Sequence, residues 1–105
     1  MSDRIIMLNR GDTLLYKYRL SEHFDSGDAI YFGITLPQQP FEEALFRQKY
    51  TKVMEQDDIQ YAEISVPSAK TQLLPPATYY YSIKLKKADG TVITLQNKTK
   101  LIIIE

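Results

Sequence analysis

Residues 79–95, YYYSIKLKKADGTVITL, constrain the fold of this chain more than any other stretch. Side chains of a β-strand alternate between faces, so pairing two strands one residue out of step exchanges the buried set for the exposed one. A two-residue turn at Asp89-Gly90 sets Leu85 against Thr94 and Lys84 against Leu95, mixing apolar and charged partners on both faces. A three-residue loop, Ala88-Asp89-Gly90, with Gly90 left-handed as a G1 bulge, instead pairs Leu85 with Ile93 and Ile83 with Leu95. Tyr79, Tyr81, Ile83, Leu85, Ile93 and Leu95 then share an inner face, while Tyr80, Ser82, Lys84 and Lys86 share the outer one. The stretch predicts an antiparallel hairpin with one dry side and one wet side.

The rest of the chain is read around that hairpin. A short apolar run at 5–8 ends at the turn cluster Asn9-Arg10-Gly11-Asp12, and 14–20 alternates Leu14, Tyr16, Tyr18 and Leu20 with Leu15, Lys17 and Arg19. The turn between them is a hairpin or a corner from one sheet to another. Residues 21–28 (SEHFDSGD) are a polar loop anchored by Phe24. A third strand at 29–36 places Ile30, Phe32, Ile34 and Leu36 on one side, and Pro37 and Pro40 stop it because each lacks a ladder donor. FEEALFRQKYT at 41–51 has helical propensity in its first half and alternation in its second, and is read as strand over 44–51.

Residues 52–58 are expected to be a polar connection, and 60–66 a strand with Ala62, Ile64 and Val66 inward. A single helical turn over 68–73, capped by Ser68, leads into the extended Leu74-Pro75-Pro76. After the hairpin, 96–100 reads as a polar turn and 101–104 as a last strand. This amounts to seven or eight short strands with no βαβ spacing. The expectation is an all-β, antiparallel, immunoglobulin-like β-sandwich in a single domain, residues 1–105, without the cysteine pair and buried tryptophan of antibody domains.

Composition narrows function more than it suggests one. A chain of 105 residues buries roughly 65% of its unfolded surface, enough for one core. Thirteen basic residues balance thirteen acidic ones, so no global field draws the protein to nucleic acid or to an anionic membrane. The absence of cysteine removes disulfides, thiolate catalysis and cysteine metal sites. The start, MSDRIIMLNRGD, has too short an apolar run for a signal peptide, and no apolar run, 101–104 included, is long enough to span a membrane.

Each chemical motif has a simpler backbone explanation. Arg10-Gly11-Asp12 spells an adhesion tripeptide, but a turn needs glycine and an Asx residue in its own right. His23 is the single histidine, so neither a histidine pair nor an ordinary Ser-His-Asp set can form around a second one. Asp25-Ser26-Gly27-Asp28 has calcium-loop letters without the spacing of such a loop. In the doublets Glu42-Glu43 and Asp57-Asp58 the neighbours point to opposite faces of a strand, so neither converges on one substrate atom. Asn97-Lys98-Thr99 is a glycosylation sequon with no secretory route to use it. No acid, base or nucleophile set converges, so catalysis, a cofactor and a metal site are not expected. What remains is a face where Lys84, Lys86 and Lys87 stand beside Tyr80, extended by Lys98 and Lys100, together with the exposed tyrosines Tyr31 and Tyr61. Tyrosine is enriched at protein interfaces and can also stack on sugars, while lysines on an exposed sheet face or edge usually prevent strand-to-strand aggregation.

The order of these motifs resembles a known family, the small β-sandwich that forms the N-terminal domain of upper baseplate proteins in tailed phages of Gram-positive bacteria, and its relatives in other virion proteins. The resemblance runs through Arg10-Gly11-Asp12-Thr13 at the first turn and the basic-aromatic strand FRQKYT at 46–51. It continues through Thr71, Leu74 and Pro75, the strand Tyr79-Tyr80-Tyr81, and Asp89-Gly90 followed by Thr94-Leu95. The chain departs from the pattern at Pro76-Ala77, where the family usually carries glycine after the proline. The resemblance covers nearly the whole chain and implies a non-enzymatic phage or prophage structural module, made in the bacterial cytoplasm and carried in the virion. Its partners would be other phage structural proteins or further copies of itself, with Tyr80, Lys84, Lys86, Tyr31 and Tyr61 as contact residues. The competing expectation is a carbohydrate-binding sandwich that uses the same tyrosines.

Overall fold

The computed structural model describes residues 5–105; the expectation that the N-terminus is no leader falls partly on residues 1–4, outside the described residues. The eight strands are β1 (Ile6–Asn9), β2 (Leu14–Arg19), β3 (Ala29–Thr35), β4 (Phe46–Tyr50), β5 (Met54–Gln56), β6 (Ile59–Val66), β7 (Ala77–Lys86) and β8 (Val92–Ile104). They form a five-stranded sheet, β1-β8-β7-β3-β4, and a three-stranded sheet, β2-β6-β5. The fold is all-β, with one helical turn, α1 (Ser68–Thr71). The larger sheet is curled and mixed, because β1 runs parallel to β8. This corrects the expectation of a purely antiparallel architecture: the corner at 9–12 carries the chain across to β2 in the other sheet, so β1 needs no antiparallel neighbour in sequence.

Alternation decides which residues enter the core. Tyr79, Tyr81, Ile83 and Leu85 of β7 are buried with Ile30, Phe32 and Ile34 of β3, Leu101 and Ile103 of β8, and Ala62, Ile64 and Val66 of β6. An aromatic chain bridges the sheets. Tyr16 of β2 meets Tyr81 of β7 edge-on at 6.1 Å, and Tyr81 lies 5.8 Å from Phe32, which meets Phe46 at 6.3 Å. Offset and edge-on ring pairs of this kind add about 0.5–1.5 kcal/mol beyond area burial. Tyr18 reaches from the smaller sheet to donate its hydroxyl to the Leu95 carbonyl of β8 at 3.1 Å.

The hairpin closes on the expected loop. Leu85 pairs with Ile93, the Gly90 amide donates to the Lys87 carbonyl, the Lys87 amide donates to the Thr91 carbonyl, and Gly90 has φ +95°. Farther along, the register departs from expectation. Ile83 lies opposite Gln96, not Leu95, because β8 bulges there. The polar run 96–100, read as a turn between two strands, is this irregularity within one continuous strand. Lys98, at φ 41°, turns out of the ladder and gives its amide to Ser82 Oγ. A bulge absorbs the extra residues without ending the pairing.

Other expectations change for local reasons. Residues 52–58 contain a hairpin: Met54 pairs with Tyr61 and Gln56 with Ile59, around Asp57 and Asp58 at φ 53° and 64°. Two positive φ values in a two-residue loop define the type I′ turn, whose twist matches the strands. Residues 41–43 form a 3₁₀ turn (Phe41–Glu43) and the strand begins at Phe46. Leu36 lies beyond the end of β3 and is exposed. Ser68 does not cap α1: Pro67 holds the N-cap position with no side-chain hydrogen bond.

β5 stops after three residues and leaves part of β6 uncovered. Tyr50 of β4 reaches over to fill that place. Its hydroxyl donates to the Ser65 carbonyl and accepts from the Ser65 amide, both at 3.2 Å.

Candidate interaction surface

Four of the five residues expected to contact a partner lie on the outer face of the five-stranded sheet. Tyr31 stands directly opposite Lys84 on β7 and Lys49 on β4. Facing side chains in such a ladder have Cβ atoms about 4.5–5.5 Å apart, so the two lysine side chains start out on either side of the tyrosine. Arg47, opposite Gly33, extends the row on β4. Lys86 lies opposite Ala29 and Val92, and Tyr80 lies opposite Thr35 and Lys100. Tyr61 is elsewhere. It sits on β6 in the other sheet, where the Lys17 ammonium lies 4.3 Å from its ring centroid. Tyr31 and Tyr61 therefore face away from each other across the sandwich and cannot grip one ligand together.

The outer face is not bare. Residues 36–45, between β3 and β4, fold back across it and lay the Phe41 ring on Gly33. A Cβ at position 33 would come within 2.6 Å of that ring, so glycine here is a requirement of close packing. The Lys84 ammonium lies 5.1 Å from the Phe41 centroid, a cation–π distance. Lys98 pins the strap from the far side through hydrogen bonds from Nζ to the carbonyls of Gln39 (2.9 Å) and Pro37 (3.5 Å). Tyr31, Tyr80 and Lys84 are half-buried, and Lys86 is exposed.

Sequence reasoning missed Arg47, Lys49 and Phe41 as members of this face. Arg47 and Lys49 were legible in principle, because they alternate with the inward Phe46 and Tyr50. Phe41 was not, since only the path of the strap places it there.

The charges of the chain fall into two kinds. All ion pairs among the described residues belong to one cluster. Lys87 Nζ meets Asp28 at 2.6 Å and Asp25 at 3.0 Å, and His23 Nε2 lies 3.0 Å from Asp25. The Asp28 side chain, 1% exposed, also accepts from the amides of Asp25 and Ala88, each at 2.9 Å. The hydrogen bond from Lys87, then that from Asp25, holds the Asp28 carboxyl below its ordinary range. Asp28 and then Asp25 push Lys87 upward in return. The calcium-like letters of 25–28 thus serve to fasten the loop to the tip of the β7–β8 hairpin, and a lysine occupies the position a cation would take. Arg47, Lys49, Lys84, Lys86 and Lys100, by contrast, make no ion pair among the described residues.

Other candidates resolve into structure. Arg10 donates to the Gln72 carbonyl at 2.9 Å, and the Asp12 carbonyl accepts from Thr71 Oγ1 at 2.7 Å. Arg10-Gly11-Asp12 is therefore the corner between the sheets, clamped to α1. Tyr79 and Tyr50 titrate above the ordinary phenol range, chiefly because burial disfavours the phenolate. Among the described residues, no buried side-chain nitrogen or oxygen lacks a hydrogen-bond partner. No group of three or more His, Cys, Asp and Glu side chains there is placed to hold a metal, and no helix is long and apolar enough to cross a membrane. At the β1 end of the outer face, Met7 is 62% exposed beside Ile102, and β1 is an open edge of its sheet. No family model, curated protein or solved structure matches this chain.

Proposed function

We propose that this chain is a non-enzymatic protein–protein docking module of a tailed-phage assembly, a single immunoglobulin-like sandwich whose five-stranded sheet offers its outer face to neighbouring structural proteins. The observation that carries this reading is the row Lys49-Tyr31-Lys84, continued by Arg47 and Lys86, whose cations have no counter-charge among the described residues. Aromatic and basic side chains held on a rigid ladder suit recognition of a protein surface. The apolar end at Met7 and Ile102, next to an open edge, is consistent with the same use, since such patches beside unpaired strand edges mark interaction sites. In this reading the protein is made in the bacterial cytoplasm and carried in the virion.

Affinity co-purification of the tagged chain with its neighbouring gene products, followed by mass spectrometry, tests the proposal. Retention of tail or baseplate components, lost on Lys49→Glu with Lys84→Glu, supports it. A chain that stays alone and monomeric in that experiment sinks it.

A further inference from the structure

We propose that one partner of the basic face is a second copy of this chain, which docks the acidic tip of its β5–β6 hairpin on the Lys49-Tyr31-Lys84 row; the inference rests on the docking reading above.

The argument starts from a mismatch. The chain is neutral in total, with thirteen basic and thirteen acidic residues, yet only Lys87, His23, Asp25 and Asp28 are ion-paired among the described residues. The remaining twelve basic and eleven acidic residues include two patches of a single sign. Arg47, Lys49, Lys84, Lys86 and Lys100 gather on the outer face of the larger sheet, while Lys17 and Arg19 lie on the smaller one. Also on the smaller sheet, Glu55, Asp57 and Asp58 crowd the tip of the β5–β6 hairpin, all exposed and without an ion-pair partner among the described residues.

A type I′ turn is most at ease with Asn-Gly, so two aspartates at positive φ are an uncomfortable way to build it. They make the tip a narrow, negatively charged prow. Row and prow belong to different sheets, and no ion pair joins them within a single copy among the described residues. Between copies they are complementary in sign. The strap's Glu42 and Glu43, which follow Phe41 in the 3₁₀ turn, make no ion pair with the basic face among the described residues.

Because row and prow are different surfaces, the contact is either made twice across a two-fold axis or passed head-to-tail from copy to copy. In both cases it is electrostatic, and salt weakens it.

Sedimentation velocity at low and high salt, with reciprocal charge reversal, tests the idea. One variant reverses the face: Lys49→Glu with Lys84→Glu. The other reverses the tip while easing the turn: Glu55→Lys, Gln56→Lys, Asp57→Asn and Asp58→Gly. We expect the natural chain to self-associate at low salt. Each variant alone should associate about tenfold more weakly or worse. An equimolar mixture should recover association, because the basic tip of one then meets the acidic face of the other. If the reversed face does not fold, Lys49→Gln with Lys84→Gln carries the same test as a loss of association. A natural chain that is monomeric at low salt, association indifferent to either variant, or a mixture that does not recover overturns the inference. A monomeric chain that still retains tail components overturns only the self-contact. One that retains nothing overturns the docking reading with it.

Discussion

Lys84 and Lys87 lie three residues apart on the same hairpin and carry the same charge, yet the fold treats them in opposite ways. Lys87 is drawn into two carboxylates and the His23 carbonyl, and its side chain is only 25% exposed. Lys84 meets the face of Phe41. The difference arises from what packs against each: the 23–28 loop comes down on the hairpin tip, while the strap of 36–45 comes down on the sheet. Where a buried carboxylate is supplied, a lysine becomes a structural fastener. On the sheet face no carboxylate among the described residues pairs with it, and its ammonium rests on an aromatic ring instead.

Substitutions of the charged groups in the first region should therefore cost stability without touching association, and substitutions of Lys49 and Lys84 in the second should do the reverse. The largest loss is expected from Asp28→Ala, which strips one buried acceptor from Lys87 and two amides together. The thermal unfolding midpoint should fall further than for any other change considered, with faster amide exchange at 87–91. Asp28 also sets an acid limb. Its folded pKa lies below the ordinary 3.8, so its contribution is complete above that value and is lost as pH falls through the depressed one. Asp28→Asn should flatten the decline of stability in this window. Unchanged acid unfolding would place the stabilising interaction elsewhere.

Gly33→Ala should come next, because its Cβ collides with the Phe41 ring. We expect a cost of about 1–3 kcal/mol in chemical denaturation, with the strap displaced and Tyr31 more exposed. Tyr50→Phe removes the hydroxyl that closes the β6 edge at Ser65 and should cost about 1 kcal/mol. Replacing Asp57-Asp58 by Asn-Gly should instead raise stability by about 0.5–1 kcal/mol, read from the same denaturation curves. Lys49→Gln with Lys84→Gln should change stability by no more than about 0.5 kcal/mol. A large destabilisation there would show that the outer face is structural, and the comparison would collapse.

The readings that held are those resting on short-range alternation. Inward Ile30, Phe32 and Ile34, inward Ala62, Ile64 and Val66, and the Gly90 loop all follow from period-two patterning and turn chemistry, which neighbouring residues decide among themselves. The readings that failed needed information from across the chain. Nothing near Gln96 announces that Lys98 will bulge out toward Ser82 and keep one long strand paired. Nothing near Asp57 marks a hairpin either, since aspartates in a left-handed turn read as plain polar loop. The residues expected to meet a partner divide in the same way. Tyr31, Tyr80, Lys84 and Lys86 were legible as outward-facing, but the separation of Tyr61 onto the other sheet was not.

The hairpin at 79–95 draws the same boundary. Its letters alone determined the loop, the Leu85–Ile93 register and the burial of Tyr79, Tyr81, Ile83 and Leu85, because a slip of one residue would have exchanged faces. Ile93 and Leu95, expected beside them, are only half-buried, and Ser82, expected on the wet face, is buried. Only the tertiary structure decided that Lys87 would be ion-paired and Lys84 laid over the Phe41 ring. That outcome depends on loops distant in sequence, Asp28 on one side and Phe41 on the other, and on which of them brought a carboxylate.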